Sequence, residues 1–91
     1  MEFIIIDGRR MTSIEETHRY LAATLRLPDY YGQNLDALHD CLTDLNRNVW
    51  IILINGDAMT AALGDYAERL RLVFAEASNL PYACHFIEYD S

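Results

Sequence analysis

Three apolar segments along the chain have the composition of β-strands. Glu2–Asp7, Val49–Asn55 and Tyr82–Tyr89 are rich in β-branched and aromatic side chains. The stretch from Phe3 to Ile6 is continuously apolar, which is typical of a strand in the middle layer of a parallel sheet protein. The first strand is therefore predicted to be buried on both faces.

A first helix is predicted after the first strand. Ser13 and Glu16 form the S-x-x-E capping box, in which the serine side chain satisfies a free N–H group at the helix start. Pro28 is expected to stop the helix, because the residue before a proline disfavours α geometry. The apolar stripe at helical spacing comprises Ile14, Leu21 and Leu25, with Thr17 and His18 between them.

Three further helices are predicted from caps and periodicity. The second helix runs from Asn34 to about Leu45 and has a core face of Leu35, Leu38, Leu42 and Leu45. A short third helix, Ala58–Leu63, has Asp57 as its cap, and a fourth opens at the capping box Asp65–Glu68. The side chains of the fourth helix that should face inward are Leu70, Val73, Phe74 and Ala77.

The order of these elements predicts an α/β fold with a small three-stranded parallel sheet packed with three to four helices. Strands separated by helices have connections long enough for crossovers, which should be right-handed. Pro81 separates the last helix from the third strand. Residues 1–91 contain no linker, low-complexity run or internal repeat, so the chain is expected to form a single domain.

The charge of the chain restricts its partners. It carries 14 acidic and 7 basic residues, which gives a formal net charge of −7. An acidic surface repels nucleic acids and anionic membranes, so neither is an expected partner. All 7 basic residues are arginine, which excludes a phosphate loop or a Schiff base that depends on lysine.

The N-terminal segment and the cysteines predict a cytoplasmic protein. The segment MEFIIID is neither a signal peptide nor a membrane span, because its apolar run is short and an acid stands at position 2. Cys41 and Cys84 lie in apolar surroundings without a CxxC pair, which is typical of reduced thiols in a cytosolic protein. A disulfide between them is the less favoured alternative.

The second predicted helix carries a stripe of acids. Asp36, Asp40 and Asp44 are spaced i, i+4 and i+8, so they stack on one face away from the leucines, and no Lys or Arg lies between Leu27 and Leu45. Like charges at this spacing destabilise a helix by roughly 0.2–0.5 kcal/mol per pair. The stripe is either a solvated face that serves solubility or a surface that meets a cationic partner, and spacing alone does not decide between them.

Two tyrosines precede this helix. Exposed aromatic side chains at Tyr30 and Tyr31 would be anchors of a protein interface, whereas buried ones would pack between the first two helices. One member of the pair is expected to be buried.

A metal-binding or catalytic role is a third interpretation of the same segment. Asp36, His39 and Asp40 place carboxylates and an imidazole at helical spacing. However, no second group of ligands is recognisable, His18 and His85 have no suitably spaced carboxylate, and no G-x-S-x-G, H-E-x-x-H or Gly-rich phosphate loop occurs. The protein is therefore predicted not to be an enzyme and to need no cofactor or metal.

The segment from Leu27 to Thr43 contains the run P-x-Y-Y-G-x-N-L-D-A-L-x-D. It strongly resembles the barstar family, small cytoplasmic bacterial inhibitors of secreted, guanyl-specific ribonucleases of the barnase type. A looser likeness spans the whole chain and includes Phe74–Ala77 and Cys84. The resemblance implies a three-stranded parallel sheet with helices, in agreement with the pattern above, and an inhibitor that inserts the second helix and its preceding loop into a ribonuclease active site.

The resemblance also implies roles for individual residues. Asp40 matches the principal family aspartate, which occupies the position of a substrate phosphate and pairs with the arginines and the catalytic histidine of the enzyme. Tyr30 matches a tyrosine that packs against that histidine. The other matching positions are Asp36, Thr43 and Glu76 in the contact surface, and Gly32 and Asn34 in the loop that opens the helix.

Three positions depart from the family pattern. The archetype has Trp in place of His39, Gly in place of Asp44 and a second Trp in place of Leu45; all three are expected to lie in the contact surface. The expected partner is an extracellular barnase-type ribonuclease, with the protein monomeric in its absence. The alternative is an immunity or regulatory module that uses the same acidic face to bind a different basic protein.

Overall fold

The computed structural model describes residues 1–45, 47–79 and 84–89. Its strands form a parallel sheet in the order β1-β2-β3, with helices packed against it, which confirms the predicted α/β fold. The elements in chain order are β1 (Glu2–Asp7), a 3₁₀ turn (Gly8–Arg10), α1 (Ile14–Thr24), α2 (Leu35–Thr43), β2 (Val49–Ile54), α3 (Gly56–Leu63), α4 (Asp65–Ala77) and β3 (Cys84–Glu88).

The helices cover one face of the sheet, and the prediction that β1 is buried on both faces is wrong. Ile4 and Ile6 are buried, whereas Phe3 and Ile5, which alternate with them, are 66% and 57% exposed. A parallel sheet is normally covered on both faces because its crossovers distribute helices to both sides. Here the helix-facing side chains of all three strands join one core cluster, to which α1, α2 and α4 contribute Leu21, Leu38, Leu42, Leu70 and Phe74.

The first helix begins where the capping box predicts. The Ser13 hydroxyl accepts a hydrogen bond from the Glu16 backbone N–H at 3.1 Å. The helix ends at Thr24, ahead of Pro28, and Arg26 takes a left-handed backbone with φ of 55°. Contrary to the predicted stripe, Ile14 is 48% exposed, because a residue in the first turn of α1 lies beyond the edge of the core.

Three other predicted helix boundaries need correction. The helix α2 ends at Thr43, so Asp44 is its C-cap and Leu45 follows the helix. Asp57 does not cap α3, since the helix starts at Gly56 and its N-cap is Asn55 with φ of 54°. Asp65 is the first residue of α4 and makes no cap hydrogen bond. Asp57 and Asp65 each lie in the first turn of their helix, where the helix dipole favours a negative charge without a cap hydrogen bond.

The end of the chain is described in part. The predicted strand Tyr82–Tyr89 is observed as Cys84–Glu88, while Tyr82 and the helix stop at Pro81 lie outside the described residues. Cys41 and Cys84 are free thiols, and burial raises the pKa of Cys84 to about 11. None of the described helices is both long and apolar enough to cross a membrane.

Candidate partner-binding face

The loop before α2 is fastened by a side-chain cap. The Asn34 Oδ1 atom accepts a hydrogen bond from the Ala37 backbone N–H at 2.8 Å, and its Nδ2 atom donates to the Gly32 carbonyl oxygen at 3.3 Å. The left-handed residue of this turn is Gln33, with φ of 56°. Asn34 therefore fixes both the start of α2 and the direction from which the loop enters it.

The two tyrosines of the loop have opposite environments. Tyr30 is 83% exposed, whereas Tyr31 is buried in the core cluster. The Tyr31 backbone N–H donates to the Pro28 carbonyl oxygen at 2.9 Å and closes the turn. The sequence predicts that one of the pair is buried, and the structure assigns that position to Tyr31, leaving Tyr30 free to contact a partner.

A buried histidine connects the loop to two helices. His18 on α1 is 1% exposed, and its Nδ1 atom is hydrogen-bonded to the Tyr31 hydroxyl while its Nε2 atom lies 2.6 Å from the Tyr66 hydroxyl of α4. A neutral imidazole has one donor and one acceptor nitrogen, so one hydroxyl accepts from the ring and the other donates to it. We call these three residues the His18 triad. It ties the first turn of α4 and the middle of α1 to the loop that carries Tyr30.

Burial favours the uncharged form of each side chain in the His18 triad. It lowers the pKa of His18, because the charged imidazolium loses its hydration, and it raises the pKa of the Tyr31 and Tyr66 hydroxyls for the same reason. At neutral pH all three groups are therefore uncharged. The protonation of His18 is opposed by the fold.

We expect the stability to fall on mild acidification. Below about pH 6.5, the ordinary pKa of histidine, the unfolded chain binds a proton at His18 that the folded chain resists, so the free energy of unfolding decreases as the pH falls. The contribution of one such group is at most about 1.4 kcal/mol per pH unit. Urea unfolding between about pH 7.5 and pH 5.5, above the range in which carboxylates titrate, measures this slope.

The matched control is His18→Gln, which keeps a polar side chain but cannot titrate. Its stability should depend less steeply on pH than that of the unchanged protein, from which it differs only at position 18. An NMR titration of the His18 ring in the unchanged protein gives a second readout that does not need the variant to fold. Equal slopes, together with a His18 ring that titrates at its ordinary pKa, would contradict the expectation.

The acids of α2 form an exposed surface that makes no ion pair within the described parts of the chain. Asp36, Asp40 and Asp44 are all exposed. Among the residues that the structure describes, none of the three has an Arg or His nitrogen within ion-pair distance. Asp36 lies in the first turn, where the helix dipole stabilises its charge, whereas Asp44 at the C-cap is disfavoured by the dipole. We refer to these three residues as the acidic face.

The edge of the acidic face toward α4 carries His39 and Glu76. The His39 Nε2 and Glu76 Oε2 atoms are 3.8 Å apart, and both side chains remain accessible. The Thr43 hydroxyl donates to the His39 carbonyl oxygen at 2.9 Å, so it is already engaged by the backbone of its own helix. The structure therefore brings the predicted site residues of two helices onto one surface.

The other edge of the acidic face is a cleft of about 410 Å³ with charges of both signs. It brings together predicted site residues and two arginines that were not predicted, Arg26 and Arg47. Both arginines are held by Glu2, with the Arg47 Nε atom 3.0 Å from the Glu2 carboxylate. The cleft is lined by Arg26, Pro28, Tyr30, Asp40, Cys41, Asp44, Leu45 and Arg47.

A signal for these arginines was present in the sequence. Arg26 and Arg47 stand just outside the two ends of the segment that lacks basic residues, Leu27–Leu45. The two ends of this segment meet only in the folded chain, where the Arg47 Nη2 atom donates a hydrogen bond to the Leu25 carbonyl oxygen at 2.9 Å. The cleft can therefore accept a cation at its acidic side and an anionic or polar group at its basic side.

Nucleophilic or metal chemistry has little support at this face. The pKa of the Cys41 thiol is raised by burial and by the neighbouring Asp40 and Asp44 charges, which keeps the thiol protonated at neutral pH. Within residues 1–45, 47–79 and 84–89, no three His, Cys, Asp or Glu side chains are grouped closely enough to hold a metal ion. The arrangement is suited to binding a cationic protein surface.

Comparison with known proteins adds an independent finding. The family model described as "Barstar (barnase inhibitor)" matches residues 1–82. The chain is also 45% identical over 78 residues to a protein of Bacillus subtilis (strain 168) named "Putative ribonuclease inhibitor YrdF", an alignment that covers 85% of this chain and 86% of that relative. Both matches include most of the chain, so the likeness is not limited to one motif.

Proposed function

The chain belongs to the barstar family of barnase inhibitors, and on that premise we propose that it inhibits a secreted, guanyl-specific ribonuclease by blocking its active site. The observation that carries the proposal is the acidic face, whose three exposed carboxylates have no cation of their own within ion-pair distance in the described part of the chain. Such a face is available to pair with the cations of a basic protein.

Substrate mimicry explains why this face would fit a ribonuclease. An RNA-cleaving site binds phosphate oxygens through cationic side chains, and arginine pairs equally well with two oxygens of a carboxylate. Asp40 lies in the middle of the acidic face and Tyr30 is the most exposed aromatic side chain beside it. We assign Asp40 to the position of the phosphate and Tyr30 to an aromatic contact with the enzyme.

The remaining contact residues surround this centre. His39 and Glu76 lie at the α4 edge, and Asp44 and Leu45 line the cleft at the other edge. Asp36 and Thr43 lie near the two ends of α2. In this arrangement the inhibitor acts by occlusion, with no turnover and no cofactor, and protects the cytoplasm of the cell that makes the ribonuclease.

The loop and helix are held in place before the partner arrives. Asn34 caps α2, and the His18 triad anchors Tyr31 directly beside Tyr30. A surface that is already ordered loses less conformational entropy on binding, which increases the affinity obtained from the same contacts. Gly32 lies between these two anchors, in the loop that presents Tyr30.

The test is a titration of the protein into an active barnase-type ribonuclease from the same source while RNA cleavage is followed. We expect a stoichiometric loss of activity at low salt and weaker inhibition at high salt, because exposed charges are screened. A folded protein that leaves the activity unchanged at both salt concentrations would contradict the proposal. Charge-steered association of this kind is well known from the barnase–barstar pair itself.

A prediction about association rate concerns Asp36 at the edge of the acidic face. Replacing Asp36 by Ala should slow association by roughly two- to five-fold and reduce its dependence on salt, with little change in dissociation, because a peripheral charge acts mainly by steering. Stopped-flow mixing with the ribonuclease measures both rates. The matched control is Asp57→Ala, which removes the same charge from the exposed start of α3; equal effects of the two substitutions would contradict local steering.

A second candidate function keeps the acidic face and changes the partner. The cleft places Arg26 and Arg47 beside Asp40 and Asp44, so its best partner offers groups of both signs. If no barnase-type ribonuclease is inhibited, this cleft supports the alternative role of an immunity or regulatory module that binds a different basic protein. Affinity capture on the unchanged protein, compared with capture on an Asp40→Ala variant, would separate partners of the acidic face from proteins that bind elsewhere.

A further inference from the structure

We propose that the uncovered face of the sheet binds a second copy of this chain and forms a reversible dimer. This inference does not depend on the proposed ribonuclease target, since it concerns the side of the sheet opposite the helices. It differs from the expectation that the protein is monomeric without its partner. We call this surface the open sheet face.

The open sheet face consists of two apolar rows that run across all three strands. In the register of the sheet, Phe3 is paired with Trp50 and Trp50 with His85, and two residues further on Ile5 is paired with Ile52 and Ile52 with Ile87. Neither row contains an Asp, Glu, Lys or Arg side chain. The six side chains are therefore continuous from one edge of the sheet to the other.

The exposure of these rows is unusual for large apolar side chains. Phe3, Ile5 and Ile87 are 66%, 57% and 46% exposed, while Ile4, Ile6 and Cys84 on the other face of the same strands are buried. The indole of Trp50 stacks on the His85 ring at a centroid distance of 4.6 Å and forms the centre of the first row. Contiguous apolar patches of this kind on a small protein commonly mark an interaction site.

The distribution of charge favours a second copy as the occupant. At a net charge of −7 two copies repel each other over most of their surfaces. The strand acids Glu2 and Glu88 alternate toward the helix side of the sheet. Asp7, the acid of β1 that alternates toward the open side, is held in an ion pair with Arg9 at 2.9 Å. Within the described parts of the three strands, the open sheet face therefore presents no unpaired acid to a second copy.

The geometry of the face also suits self-association. Two sheets that pack face to face lie about 10 Å apart with their strands within about 30° of each other, and a two-fold axis makes such a contact self-complementary. Three strands at about 4.8 Å spacing and five to six residues of about 3.3 Å give a flat area near 250 Å². Side chains that project from the sheet add to this area, but the total stays below the roughly 800 Å² per partner that a stable complex buries. The dimer should therefore be weak.

The chain supplies its own reporter for this contact. Trp50 is the single tryptophan of the protein, and it lies in the open sheet face. Dimer formation would remove the remaining exposed part of its indole from water. We expect the tryptophan emission to shift toward shorter wavelength as the protein concentration rises, in parallel with a rise in the weight-average mass.

Sedimentation equilibrium from about 5 µM to about 500 µM tests the proposal, since weak interfaces have dissociation constants in this range. We expect a monomer–dimer equilibrium that is strengthened by added salt, because screening reduces the repulsion between two acidic chains. Binding of the ribonuclease to the acidic face should be weakened by the same salt. A monomer at all concentrations and salt conditions overturns the proposal.

Substitutions locate the contact within the molecule. Ile5→Lys places a charge in the second row on an edge strand, a position where lysine is well tolerated, and should raise the dissociation constant of the dimer at least ten-fold. The matched control is Leu72→Lys on α4, where an equally exposed leucine (60%) lies away from the sheet. A dimer that survives Ile5→Lys, or one that is lost equally in Leu72→Lys, overturns the proposal. Inhibition of the ribonuclease should be unchanged in Ile5→Lys, so failure of the dimer and failure of the inhibitor role are distinguished.

Discussion

Replacing Asp40 by Ala should weaken the complex with the ribonuclease by more than about 2 kcal/mol, or roughly 30-fold in dissociation constant. Asp40 lies in the centre of the acidic face, where a partner would exclude water from its carboxylate. Removing it leaves the cations of the enzyme buried without a partner, which costs more than the loss of one exposed ion pair. Inhibition kinetics at several inhibitor concentrations measure the change.

The control for Asp40→Ala separates position from net charge. Asp57→Ala also removes one exposed negative charge, and it should change the affinity by less than about 0.5 kcal/mol, as surface charges outside an interface do. Asp40→Ala should unfold at nearly the same urea concentration as the unchanged protein, because the Asp40 side chain forms no ion pair in the described structure. Asp57→Ala should lose about 0.3–1 kcal/mol of folding free energy, because the helix dipole favours a negative charge in the first turn of α3. A loss below about 0.5 kcal/mol for Asp40→Ala would place this residue on the hydrated rim and contradict its assignment.

Replacing Gly8 by Ala should destabilise the fold by about 3 kcal/mol or more. Gly8 is buried where the chain leaves β1, and a Cβ atom there would overlap the Asn55 carbonyl oxygen, with the carbonyl carbon at 2.9 Å and the Met59 Cβ atom at 3.2 Å. A backbone carbonyl cannot rotate away as a side chain can. Relief of the overlap requires the start of α3 to separate from the end of β1. Equilibrium unfolding in urea measures the cost.

Two other glycines provide the comparison. At Gly32 the nearest atoms to an added Cβ are at 3.4 Å, so Gly32→Ala should be neutral or stabilise by up to about 1 kcal/mol through the unfolded chain. At Gly64 the space is open but φ is 59° and ψ is −133°, a backbone conformation that side chains disfavour, so Gly64→Ala should cost about 1–3 kcal/mol through backbone strain alone. A Gly8→Ala variant as stable as Gly32→Ala would contradict the close approach of β1 and α3.

Much of the candidate site could be predicted because it depends on local rules. The cap at Asn34, the run of α2 and the exposure of its acids follow from residues within one or two turns of one another. Tyr30 and Tyr31 illustrate the limit of such rules. Their pattern indicates that one is buried, but the choice of Tyr31 depends on His18, which is 13 residues away, and on the Tyr66 hydroxyl that completes the His18 triad.

The failed helix boundaries have a common cause. The sequence assigns caps to Asp57 and Asp65 because their side chains are typical of caps, yet α3 starts two residues earlier and α4 one residue earlier than an aspartate cap would allow. Asn55 and Gly64 supply the backbone turn with positive φ, and the position of each turn is determined by how the helix packs. Local preference is worth only about 1 kcal/mol at a cap, which tertiary contacts easily exceed.

The sequence by itself determined the order and type of the elements, the parallel α/β architecture, the family and the residues of the acidic face, since these depend on periodicity, capping and a distinctive run of residues. The tertiary structure decided which face of β1 is covered, how Arg26 and Arg47 meet at Glu2, and where Gly8 contacts Asn55. A continuous apolar strand fits a sheet covered on one face or on both, because the strand pattern records hydrophobicity and not what packs against it. Contacts between residues far apart in the chain exist only after the helices have packed on the sheet, so no local pattern specifies them.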